Sequence, residues 1–187
     1  EIASCLVGSE MCIRDRNNTN TTTTTINEIY FAKATPNAII PSKRDEDAGY
    51  DLYACFDEEY MIIPPHTTKL IPTNIHSAFS SDYVLILKER GSNGVKGIAQ
   101  RCGVIDSGYR NAIFVPLTNT NEKSVIITKD TNILSLADDY IVYPYLKAIC
   151  QALLVEVPKV KVVEKTVDEI LAMTSERGIG HLGSSGK

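Results

Sequence analysis

From residue 28 onward, short segments rich in Val, Ile, Tyr and Thr alternate with punctuation by Pro, Gly, Asn and Asp, the pattern of strands closed by turns. Candidate strands fall at 29–32, 50–54, 60–63, 67–71, 83–88, 113–117, 124–128, 140–143 and 149–155. Strands this short and frequent predict an all-β sandwich or jelly-roll barrel. The run 84–87 is apolar at every position, so both faces of that strand are expected to be covered. In a chain this small, one covering layer can come from another subunit. Pro41, Pro64, Pro65, Pro72, Pro116, Pro144 and Pro158 remove ladder donors and belong at strand ends, edges or bulges. One short helix is expected at 166–173, where Val167, Ile170 and Leu171 share a face after Thr166 as N-cap. From residue 174 the chain turns to Gly and Ser without an anchoring apolar pattern, and 174–187 reads as a mobile arm.

Composition narrows the function. A chain of 187 residues is long enough for one domain with its own core. The formal charge of −4 gives no basic footprint, which argues against a nucleic-acid partner. No apolar run approaches the roughly 20 residues that span a bilayer, so no membrane partner is expected. Cys5, Cys12, Cys55, Cys102 and Cys150 are odd in number and widely separated, without a Cys-x-x-Cys pair; they predict neither a disulfide framework nor a zinc site. A cytoplasmic or other reducing compartment fits them. His66, His76 and His181 are isolated, which argues against a His-rich metal centre or a Ser-His-Asp triad.

The N-terminal residues 1–25 stand apart. SCLVGSEMCIRDR, within 1–16, looks like a translated sequencing adaptor, and NNTNTTTTT at 17–25 is low-complexity and polar, too poor in apolar side chains to offset its ordering entropy. The folded domain is expected at 26–173.

The densest chemistry lies in GVIDSGYR, residues 103–110. Val104 and Ile105 lead into Asp106, and Ser107-Gly108 is a turn pair before Tyr109 and the apolar run 113–115, which predicts a β-hairpin. Such a hairpin can present backbone amides to a flat ligand and hold a carboxylate beside it.

Five segments in order, AGYDLYA (48–54), ERGSNGVKGI (89–98), GVIDSGYR (103–110), AICQALL (148–154) and RGIGHLGSSGK (177–187), together resemble the motifs of the trimeric deoxyuridine triphosphatases, the dUTPases. The resemblance covers about 28–187 and implies hydrolysis of dUTP to dUMP and pyrophosphate by water attack at the α-phosphorus. It implies Mg2+ held through the triphosphate and waters, with no direct protein ligand. It also implies a homotrimer in which motifs one, two and four come from one subunit, motif three from a second and motif five from a third.

By the same resemblance, Asp106 is the catalytic base that orients the water, through placement more than basicity. Tyr109 lies under the deoxyribose and leaves no room for a 2′-hydroxyl. The backbone of Gly103 and Val104 reads the uracil edge, with the Gln100 amide nearby where many members carry Asn. Arg90 grips phosphate, and the order Arg-Gly-Ser-Asn-Gly leaves either Gly91 or Ser92 at the serine position of the phosphate loop. Asp51 and Gln151 match polar positions of a structural or water network. In the arm, Arg177 matches the terminal-phosphate arginine, and Gly183 and Ser184 the wrapping backbone. Leu182 stands in place of a phenylalanine, His181 in place of a glycine, and Leu146-Lys147-Ala148 in place of a Gly-Asp-Arg lead-in. The alternatives are a dCTP deaminase or bifunctional deaminase on the same fold, disfavoured because IFVPL at 113–117 supplies no Glu, and a nucleotide-binding regulatory protein without turnover.

Overall fold

The structure is a computed structural model that describes residues 28–130 and 139–180. In chain order the elements are β1 (Ile29–Lys33), β2 (Gly49–Leu52), β3 (Tyr60–Ile63), β4 (Thr68–Pro72), β5 (Ile75–Phe79), β6 (Tyr83–Lys88), α1 (Gly91–Gly94), β7 (Ile98–Gln100), β8 (Val104–Ile105), β9 (Phe114–Asn119), β10 (Ser124–Thr128), β11 (Tyr140–Pro144), β12 (Cys150–Glu156) and α2 (Val167–Leu171). They form four sheets with strand orders β2-β12-β6-β8, β4-β9-β7, β11-β10-β3 and β1-β5. The all-β expectation holds. Among the described residues the ladders make separate sheets and do not close into a continuous barrel.

Leu52, Ile63, Ile71, Leu85, Ile113, Val115, Ile127 and Ile149, from sheets and connections alike, bury their side chains almost completely in one core. Each such burial contributes about 1.5–3 kcal/mol. In β6, Leu85 and Leu87 enter this core, whereas Val84 and Ile86 on the opposite face are only half-buried. Within one chain, the run 84–87 is therefore covered on one face and partly open on the other.

The hairpin predicted at 103–115 is corrected. Val104 and Ile105 pair with Ile86 and Leu85 of β6, while β9 pairs with β7 and β4. The arms of the real hairpin are β7 and β9, with Gln100 opposite Leu117 and a further bond from Arg101 N to Pro116 O. Residues 101–113 are the loop it carries. β9 wins this pairing because its second half, Leu117, Thr118 and Asn119, is buried against β7. Pro116 lies inside a central strand, opposite Arg101, where β7 has just ended; its missing N–H leaves out only the return bond to Arg101 O, which accepts from Gln100 Nε2 instead.

Two helices are present where one was expected. α2 starts at the predicted cap: Thr166 and Glu169 form a capping box. Its apolar residues Val167, Ile170 and Leu171 are exposed. α1 is a single turn inside the glycine-rich second motif. The expectations for 1–25 and for His181, Leu182, Gly183 and Ser184 lie outside the described residues.

Candidate active site

Motifs one, two and four meet in one chain. β12 lies between β2 and β6, which sets Gln151 opposite Asp51 on one side and opposite Lys88 on the other. Arg90 follows β6 directly. Its Nε lies 3.4 Å from Asp51 Oδ1, and its Nη1 donates to Ala148 O at 3.3 Å. Gln151 Nε2 donates to Glu89 O at 3.0 Å. These side chains border a cleft of about 650 Å³ that is also lined by Lys43, Arg44 and Gly49. Gly49 is there by necessity: a Cβ at that position would stand 2.9 Å from the Gln151 Cβ.

The turn that carries Arg90 is fixed from beneath by residues that sequence reasoning missed. Asn93 is buried in α1, and its Nδ2 donates to Ile149 O at 2.8 Å. The Tyr143 hydroxyl lies 3.0 Å from Asn93 Oδ1 and 2.6 Å from Ala148 O. Burial pushes the Tyr143 phenol above its ordinary pKa. Burial, with the Asp51 charge, also pushes the Cys150 thiol up to about 12, so it stays neutral at physiological pH. In the sequence Asn93 looks like loop punctuation and Tyr143 like an ordinary strand residue. The signal available was weak: an amide inside an otherwise Gly-rich turn. Gly91, Ser92 and Gly94 are exposed, and the space a Cβ would take at Gly91 or Gly94 is open.

Motif three is placed elsewhere. Gln100 is buried at the end of β7, and its Nε2 donates to Arg101 O at 2.8 Å and to Cys102 O at 2.5 Å. The amide thus braces the loop's own backbone. Gly103 adopts φ of +145°, and a Cβ there would meet Leu87 O at 2.7 Å, while Leu87 N donates to Gly103 O at 2.7 Å. Only glycine fits that crossing. Val104 is 65% exposed, and Asp106 is exposed with its carbonyl accepting from Tyr109 N at 3.0 Å. The Tyr109 hydroxyl donates to Ala112 O at 3.0 Å. Because β8 pairs with Leu85 and Ile86 whereas Gln151 faces Lys88, Asp106 lies along β6 from the cleft and does not border it. Arg177 is exposed, with its Nε donating to Gly180 O at 3.3 Å.

Among the described residues, no three His, Cys, Asp or Glu side chains come together in a metal-binding group. Asp51 faces Arg90, and Asp47 accepts from Arg44 at 2.8 and 3.0 Å. This donor set does not make a cage for a resident Mg2+.

The sequence profile of the dUTPase family matches residues 35–186. The chain belongs to the dUTPase family. The deoxyuridine 5'-triphosphate nucleotidohydrolase of Leptospira interrogans is 31% identical over 113 residues, covering 58% of this chain and 77% of that protein. The dUTPase fold is seen as well in the likeness to a Staphylococcus bacteriophage 80alpha dUTPase variant with dUpNHpp, which has a TM-score of 0.65 and 22% identity and covers 86% of this chain and 99% of that one. A dUTPase variant from phage phi11 of S. aureus, described for its coordination of a structural Mg(II) ion, aligns with a TM-score of 0.57 and 20% identity over 74% of this chain and 98% of that one.

Proposed function

We propose that this chain is a dUTP diphosphatase. Water attacks the α-phosphorus of dUTP, the bond from that phosphorus to the bridging oxygen breaks, and dUMP and pyrophosphate leave. The observation that carries the reading is the convergence of Asp51, Arg90 and Gln151 at one cleft, beside a glycine-rich turn open to solvent, in a chain of the dUTPase family.

Arg90 offsets charge on the phosphate oxygens, and the exposed backbone at Gly91 and Ser92 offers N–H donors to them. Asp106 accepts the proton of the attacking water. The backbone of Gly103 and Val104 reads the uracil, with the loop stiffened by Gln100. Tyr109 closes the sugar pocket against a 2′-hydroxyl. Asp51 and Gln151 hold the phosphate-gripping turn in place. Arg177, His181, Leu182, Gly183 and Ser184 belong to a 174–187 arm that closes over the bound nucleotide.

Motif three does not border the cleft of its own chain, which supports a homotrimer whose sites are completed by neighbouring subunits. The half-open face of β6 at Val84 and Ile86 supplies apolar surface for such an assembly. Magnesium enters as part of the substrate, bound to the triphosphate. A reducing compartment fits the free thiols of Cys55, Cys102 and Cys150. Among the described residues no helix is long and apolar enough to cross a membrane.

Pyrophosphate release from dUTP, dCTP and UTP tests the reading. It is expected from dUTP alone, and Asp106→Asn is expected to lower kcat by about 100-fold or more. Ammonia released from dCTP, or full activity in Asp106→Asn, would overturn it.

A further inference from the structure

Arg90, Lys96 and Lys147 are carried on and beside the phosphate-gripping turn, and among the described residues only Arg90 pairs with a carboxylate. Arg90 faces Asp51 at 3.4 Å. Lys147 sits in the turn after β11, its N donating to Pro144 O at 3.0 Å, with its ammonium 5.4 Å from the centroid of the Tyr143 ring. The hydroxyl of that ring and the Arg90 guanidinium reach the same carbonyl, Ala148 O, at 2.6 and 3.3 Å. Lys96 leaves the end of α1, its N bonded to Asn93 O at 3.0 Å. Asn93 itself is tied to Tyr143. All three residues are therefore tied to the Asn93–Tyr143 pair.

No salt bridge joins Lys96 or Lys147 to a carboxylate among the described residues. After burial, the charges of Lys96 and Arg90 hold the Lys147 ammonium below its ordinary pKa. Unpaired like charges held close are costly in the empty protein, and the cost is relieved when a multiply charged anion enters. The Cβ space at Gly91 and Gly94, on the same turn, is open.

We propose that Lys147 and Lys96 are substrate-binding residues that join Arg90 in gripping the outer phosphates, so that this chain discriminates triphosphate and pyrophosphate from monophosphate. In the fourth motif Lys147 stands where the related lead-in, Gly-Asp-Arg, carries its Asp. The identity of the natural ligand rests on the dUTP reading above; the affinity for a polyphosphate does not.

The test uses the full chain and variants Lys147→Gln, Lys96→Gln and the pair together, titrated with inorganic pyrophosphate and separately with dUMP. In the double variant the pyrophosphate Kd is expected to rise about tenfold or more, more steeply at low salt, while the dUMP Kd changes less than about twofold. Each single variant is expected to give part of that loss. Lys96 is exposed, so Lys96→Gln remains informative if substitution at half-buried Lys147 disturbs folding. An unchanged pyrophosphate Kd in the double variant, or an equal loss for dUMP, would overturn the inference. Failure of the wild type to turn over dUTP with the pyrophosphate result intact would sink the proposed reaction and leave this anion site standing.

Discussion

Gly49→Ala is a one-methyl test of how the cleft is built. Its Cβ would stand 2.8 Å from Gln151 Oε1, 2.9 Å from Gln151 Cβ and 3.2 Å from Gln151 Cδ. The amide end of Gln151 can swing away; its Cβ is fixed to the backbone of β12 and cannot. Separating the strands costs about 1–3 kcal/mol, as overpacked sites do. Losing the Gln151 bond to Glu89 O adds about 1 kcal/mol. Alanine's better strand behaviour returns about 0.5–1 kcal/mol. The net expectation is a destabilisation of about 2 kcal/mol, read by urea denaturation, with a raised KM for dUTP because Glu89 leads directly into Arg90. Repeating the substitution in a Gln151→Gly background removes every one of the three contacts, so the penalty is expected to vanish there. If Gly49→Ala costs less than about 0.5 kcal/mol in the wild type, or costs as much in Gln151→Gly, the clash is not what selects glycine.

Asn93→Ala is expected to lower stability by about 2–4 kcal/mol, because it strips the buried Ile149 carbonyl of its donor and leaves a void; denaturation measures it, and Tyr143→Phe in the same background is expected to add less than it does alone. Cys150 gives a pH signature. Its folded pKa is about 12 against an ordinary value of 9.0, so between about pH 9 and 12 the unfolded chain releases a proton that the folded chain keeps. Stability is expected to fall with rising pH across that window, by up to about 1.4 kcal/mol per unit, and Cys150→Ala is expected to flatten the fall in paired urea titrations.

The strands Tyr60–Ile63, Tyr83–Lys88 and Ser124–Thr128 were legible to the residue because their apolar runs are uninterrupted and sharply bounded. β5 was not, since Ser77 occupies a buried position between Ile75 and Phe79 and breaks the apolar alternation. β7 was missed for a similar reason: Gln100 is buried for its bonds to backbone and reads as loop. The hairpin at motif three was assigned the wrong arm because the decisive contacts of β9 come from Thr118 and Asn119, which carry no hydrophobic signal. At the site, Arg90, Asp51 and Gln151 were legible as motif residues. Their support by Asn93, Tyr143 and Gly49 was not, because it depends on which strands lie side by side.

That adjacency also constrains how the molecule is made. Asp51 finds its partner Gln151 one hundred positions later in the chain, and β6 waits for the same strand. A ribosome must therefore release the chain through β12 before the central sheet can close, and long-range pairing of this kind makes folding slow. Nascent chains that stop before β12 expose two unpaired edges, β2 and β6, to one another and to their neighbours on a polysome. For this protein, premature termination yields sticky fragments, not weaker enzymes.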